Sequence, residues 1–168
     1  MVEGEGLSNL YIDKQLKSLK VDCYKGVFSS DTIPTSLLEG HHDAMVCCIV
    51  NTSEVAQVGT HFLTLALHGY RIDVIDSLAL PLDAASPALS EALVQSGKKI
   101  RFRFKLPRQK LTSLFCGFHC ILNVMLLCRD RFPNRAGLKR LRTGEGAEND
   151  ERVCHNILAL VVNNPSRN

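Results

Sequence analysis

A chain of 168 residues has the length of one domain and can bury about two-thirds of the surface that it exposes when unfolded. With 45% hydrophobic and 22% charged residues it reads as a globular protein, which excludes a disordered or collagen-like chain. The net charge of +3 is modest, no apolar run reaches the roughly 18 residues of a membrane span, and the acidic, glycine-rich start from Met1 to Gly6 lacks the basic and apolar stretches of a secretory signal. We therefore expect one domain over residues 1–168, monomeric, without a membrane partner, made in a reducing compartment. Seven cysteines are an odd number and include no C-x-x-C pair, so neither a disulfide framework nor a zinc ribbon is expected.

Residues 8–20 place Leu10, Ile12, Leu16 and Leu19 among Lys and Gln behind Ser8, the pattern of a short amphipathic helix with a serine cap. Residues 21–43 scatter Gly, Ser, Asp and Pro among single apolar residues and read as loops around a short segment. Three strands follow: Ala44 to Val50, then Thr60 to Leu67 around His61, then Tyr70 to Ile75, ending at Asp76-Ser77. Short turns between them predict a meander. Residues 81–96 carry helical spacing from Pro81 to Gly97. Residues 100–106 alternate Ile100, Phe102, Phe104 and Leu106 with Arg101, Arg103 and Lys105, the clearest strand pattern in the chain. Residues 116–129 are apolar nearly all round, as a helix inside a core is. Residues 133–150 suit a surface loop, and Val153 to Val162 a closing helix.

A thiol is a strong nucleophile only as thiolate, so a catalytic cysteine needs a histidine partner, a helix N-terminus or both. Cys116 stands where a polar loop gives way to the buried helix, with Gly117 leaving the approach to its sulfur open; Cys120 and Cys128 lie deeper in the same segment. His61 is the candidate base, in a strand whose apolar neighbours fix its backbone. Asp76 closes the next strand, where an antiparallel neighbour can hold the second ring nitrogen. Asp73 is its rival, but period-two alternation turns residue 73 to the opposite face. Gln109, seven residues before Cys116, carries an amide able to donate to an oxyanion beside the Cys116 N–H. A zinc set of Cys116, His119, Cys120, Cys154 and His155 matches no common finger spacing.

Gly59-Thr60-His61-Phe62, Val74-Ile75-Asp76-Ser77-Leu78, Gln109 and Ser113-Leu114-Phe115-Cys116-Gly117 follow an order that resembles the adenovirus endopeptidase family, itself related to the ubiquitin-like-protein proteases. The resemblance runs over roughly residues 8–130. It implies an α+β papain-like core with a central sheet flanked by helices, and a cysteine endopeptidase with His61, Asp76, Gln109 and Cys116 as its site. It further implies cleavage of viral precursor proteins near Gly during maturation, in the virion and the host nucleus. Asp76 stands where the adenoviral enzymes usually have Glu, and Phe62 where they have Trp. No cysteine lies between Cys48 and Cys116, so the disulfide to an activating viral peptide has no counterpart there.

Residues 98–110 hold Lys98, Lys99, Arg101, Arg103, Lys105, Arg108 and Lys110 without one acid, and residues 129–142 add six more basic residues against Asp130. Such a surface suits phosphate. By the resemblance, Lys98, Lys99, Arg101, Arg103 and Lys105 are candidate contacts to DNA as a cofactor. The competing readings are a protease that removes ubiquitin-like modifiers and a non-catalytic DNA-binding protein of the same fold.

Overall fold

The computed structural model describes residues 7–55, 61–128 and 146–162. Five strands form one sheet in sequential order: β1 (Tyr24–Ser29), β2 (Val46–Asn51), β3 (Phe62–His68), β4 (Arg71–Ile75) and β5 (Lys99–Phe102). β2, β3 and β4 are the expected antiparallel meander, while β1 and β5 join its two edges in parallel. Parallel pairing needs crossovers. The first contains α2 (Thr35–Glu39); the second contains α3 (Leu82–Ala85) and α4 (Pro87–Gln95). The other helices are α1 (Asn9–Ser18), α5 (Cys116–Leu127) and α6 (Gly146–Val162). The chain is α+β, with a five-stranded sheet flanked by helices.

Strand alternation sends side chains to two cores. Cys48, Val50, Leu63, Leu65 and Leu67 pack under Leu38, Leu82, Leu89 and Leu93 of α2, α3 and α4. On the opposite face Cys47, Ile49 and Phe62 meet Ile12 and Leu16 of α1, the apolar length of α5, and Val153 and Ile157 of α6. α5 is buried from Cys116 through Met125, which explains an apolar sequence with no polar stripe. Ser8 caps α1 as expected, accepting from the Tyr11 N–H at 3.2 Å.

Several expectations change. The short segment expected within residues 21–43 includes the strand β1, whose apolar residues Gly26 and Ser29 interrupt; as an edge strand it packs fewer side chains than a central one. The single helix over 81–96 is two, because Pro87 forces Ser86 into extended backbone, where its hydroxyl accepts from the Leu89 N–H and restarts the helix. The alternating strand stops at Phe102. Phe102 and Leu106 are exposed, so that alternation does not mark a buried face. Residues 146–150 belong to α6 rather than to a loop, and residues 129–145, with the whole of the second basic stretch, lie outside the described residues.

One disulfide, Cys23–Cys128, contradicts the expectation of none. Its partners are 105 residues apart, so no local spacing announced it; the fold brings the entry to β1 beside the end of α5.

Candidate active site

His61 immediately precedes β3, and its carbonyl accepts from the Thr52 N–H at 2.9 Å, which extends the β2–β3 ladder by one step and fixes the residue's backbone. Asp76 immediately follows β4. The β3–β4 register, Thr64 opposite Ile75 and Leu65 opposite Val74, therefore brings both residues to the same end of the sheet. His61 Nε2 lies 2.6 Å from Asp76 Oδ1, with both side chains about 7% exposed. The chain then turns back over the carboxylate: Oδ1 also accepts from the Leu78 N–H at 2.8 Å, and Oδ2 from the Leu80 N–H at 3.0 Å. Two backbone donors and one ring thus hold the acid in a single orientation. Ala79, between those donors, has φ +52°, a left-handed conformation that lets the turn close.

The N-terminus of α5 faces this pair. Cys116 is the first helical residue, buried, and near enough to the His61 ring to act on its charge. Since Nε2 is taken by Asp76, Nδ1 is the nitrogen left for the sulfur. Burial by itself lowers the His61 pKa, but the hydrogen bonds and charges of Asp76 and Cys116 outweigh it and raise the value from 6.5 to about 9. The direction of that shift favours the imidazolium in the neutral range. The Cys116 N–H belongs to the first turn and has no acceptor within the helix.

Gln109 is 2% exposed. Its Oε1 accepts from the Ser77 hydroxyl at 2.6 Å, and its Nε2 donates to the Ser113 carbonyl at 2.8 Å, which uses one of two amide hydrogens. The Arg108 and Gln109 N–H groups both donate to the Ser77 carbonyl, at 2.6 and 3.1 Å. Ser77, next to Asp76, thus ties the glutamine loop to the strand end that bears the acid. Sequence reading passed over Ser77; the only hint was its place beside Asp76.

A second buried imidazole–carboxylate pair lies behind the first. His119 Nε2 meets Asp150 Oδ1 at 2.8 Å, and Asp150 Oδ2 accepts from the Lys110 N–H at 3.0 Å. Asn149 Nδ2 donates to the Arg108 carbonyl at 2.6 Å. α6 therefore clamps the 108–110 loop against α5. The described members of the zinc set do not converge: Cys116 faces His61, His119 faces Asp150, and Cys120 is fully buried, which pushes its thiol pKa up against the opposing effect of Thr64. Burial likewise raises the Cys47 thiol to about 12.

Gly117 has a different job from the one expected. A Cβ there would stand 3.0 Å from both Ile12 Cδ1 and Leu7 Cβ, so the glycine lets the start of α5 approach α1 rather than clearing a path to the sulfur. Beside the site, a cavity of about 430 Å³ is lined by Phe62, Leu7, Asn9, Asn51, Glu54 and Val55 among others. Phe62 is the chain neighbour of His61, and Leu7 packs on Gly117 next to Cys116.

The five candidate phosphate contacts do not form one free row. Lys98 is buried with its ammonium on the Gly40 carbonyl at 2.5 Å, so it does not belong among them. Arg101 makes a two-point bond to Asp73 at 2.8 Å, joined by Arg71 at 3.2 Å and Arg103 at 3.7 Å. Asp73 thus faces the cross-strand arginines, away from His61. Lys99 and Lys105 are exposed.

No family model matches the chain. No curated protein matches it either. Among solved structures, the chain is similar to the ASFV pS273R protease in its selenomethionine form, at TM-score 0.44 and 13% identity, over 88% of this chain and 66% of that one.

Proposed function

We propose that the chain is a cysteine endopeptidase in which Cys116 is the nucleophile, His61 its proton partner, Asp76 the residue that orients and charges the ring, and Gln109 a donor to the oxyanion. One observation carries this reading: a buried imidazole sits between the first thiol of a helix and a carboxylate fixed by two backbone amides.

A charged ring beside the sulfur favours the thiolate, the nucleophilic form, in a thiolate–imidazolium pair. The sulfur attacks the scissile carbonyl, and the oxyanion is held by the Cys116 N–H and the remaining Gln109 amide hydrogen. His61 gives its proton to the leaving amine. It then takes a proton from the water that hydrolyses the acyl-enzyme, which restores the pair. The helix N-terminus favours negative charge on the sulfur throughout.

The resemblance in residues 59–62, 74–78 and 109–117 makes viral precursor proteins, cut near Gly, the substrates we propose, with DNA and a viral peptide as activators. The Asp76-Ser77-Leu78 wording is closer to the deconjugating branch, so modifier fusions belong in the same assay. A Gly-containing peptide library digested by the wild type and by Cys116→Ala, with and without DNA, tests the reading. Cleavage by the wild type alone is expected; equal patterns from both proteins refute it. For the DNA contacts, Lys99→Ala with Lys105→Ala is expected to flatten the log–log dependence of DNA affinity on salt by about 1.8, two phosphates' worth. An unchanged slope excludes these lysines.

A further inference from the structure

Three sulfurs converge at the other end of α5 from Cys116, where the proposed chemistry makes no use of them. Cys23 precedes β1, Cys47 is the second residue of β2, and Cys128 follows the last residue of α5. Their sulfurs all lie within 4.8 Å of one another. A disulfide joins Cys23 to Cys128, and the Cys47 sulfur stands 3.6 Å from that of Cys23. A disulfide sulfur carries no hydrogen, so the Cys47 thiol is the donor in that contact.

The scaffold, and not the disulfide alone, sets this arrangement. The Cys47 N–H donates to the Cys23 carbonyl at 2.8 Å, and Tyr24 pairs with Cys47 in the β1–β2 ladder. Those backbone bonds keep two of the sulfurs adjacent whatever the redox state. Cys128 is held by the packing of α5 on the sheet, its N–H bonded to the Val124 carbonyl at 3.0 Å. A disulfide needs two cysteines; the fold supplies a third.

We propose that in the reduced chain Cys23, Cys47 and Cys128 form a three-thiolate site for a thiophilic metal ion such as Zn²⁺. A tetrahedral zinc ion about 2.3 Å from each sulfur spaces the sulfurs about 3.8 Å apart, close to the separation that Cys23 and Cys47 already have. Thiolate donors, one buried and two half-buried, suit zinc, cadmium or Cu⁺ and not the oxygen-seeking cations. Reduction opens the site: two molecules of a thiol reductant give two electrons and two protons to the Cys23–Cys128 bond and leave as their own disulfide. Binding a divalent ion then releases three thiol protons to solvent. Among the described residues three ligands converge, which leaves the fourth position for water or a small thiol. The site gates itself by redox state, since the disulfide withdraws two of its three ligands.

Residues 116–128 of a helix span about 18 Å, so this cluster is separate from the proposed nucleophile. Cys116 is itself thiophilic, and the test uses Cys116→Ala protein, which makes the result independent of the protease reading. The protein is reduced with a phosphine and titrated without oxygen, Cd²⁺ being followed by thiolate charge-transfer absorbance and Zn²⁺ by competition with a coloured chelator. One ion per chain is expected. Adding Cys47→Ser or Cys128→Ser is expected to weaken binding by at least about 100-fold, because loss of even an outer-shell partner costs 10–100-fold. Cys154→Ser should bind as before, and oxidised protein should bind none. Circular dichroism shows which of the two serine variants keeps the fold. The inference is overturned if the reduced protein retains no metal and merely re-forms its disulfide, or if a folded Cys47→Ser or Cys128→Ser variant binds as tightly as its parent.

Discussion

Asp76→Asn removes a charge while leaving the size of the side chain unchanged, and its effect should depend strongly on pH. Asn can still accept from the Leu78 N–H, but it no longer offers His61 a negative partner. If the ring then falls from about 9 to its reference value of 6.5, the imidazolium share at pH 8 drops from about 90% to about 3%. At pH 5.5 both proteins stay more than about 90% protonated by the same arithmetic. The rate of Cys116 alkylation by iodoacetamide, read at that residue by mass spectrometry, should therefore fall a few-fold at pH 8 and hardly at all at pH 5.5. Peptide cleavage, where it is detected, should follow the same profile. Stability shifts with the same sign. A raised folded-state pKa gives a contribution present in full below pH 6.5 and lost as pH rises through about 9, worth on the order of 3 kcal/mol. An alkylation defect equal at both pH values, or an NMR titration placing the wild-type ring near 6.5, would refute this account of the pair.

Ser77→Ala should unlock the Gln109 amide by removing the donor to its Oε1; kcat is expected to fall about 10-fold with KM little changed, a fraction of the 10²–10³ that loss of an oxyanion donor costs. Steady-state kinetics that put the loss in KM would argue against an oxyanion role. Gly117→Ala is expected to destabilise by about 1–3 kcal/mol, since the new methyl meets Ile12 and Leu7 at 3.0 Å, and denaturant unfolding measures it. Asp150→Ala leaves the His119 ring and the Lys110 N–H without their buried acceptor; a loss of about 3 kcal/mol is expected, and a melting temperature equal to wild type would show that the clamp is idle.

The meander was readable because each of its strands is a short apolar run bounded by turn residues, and the buried helix because polarity is absent from residues 116–127. The meeting of His61 with Asp76 followed from two antiparallel neighbours and a fifteen-residue separation. Other features had no local sign. Gly26 and the serines near it hid β1, which earns its place by backbone pairing with β2 rather than by a pattern of its own. Ser77 reads as an ordinary turn residue until Gln109 arrives from 32 residues away. Asp150 looks like loop polarity until α6 carries it to His119. The basic residues at 101 and 103 suggested a row facing solvent, but an acid one strand over, Asp73, gathers them. These errors share one cause: long-range pairing decides what a polar side chain does, and composition within a segment does not record it.

The hairpin of β3 and β4 also acts as a ruler. Its turn at Gly69, with φ +56°, lies at the far end of both strands from His61 and Asp76, yet the number of residues there sets which carboxylate reaches the ring. One residue inserted at that tip, if the strands slipped to absorb it, would carry Asp76 to the other surface of the sheet and bring a neighbour round in its place. A length change at a bend remote from the thiol should thus be ruinous to the chemistry, and the same slip would also turn Ile72 and Val74 away from the core they fill.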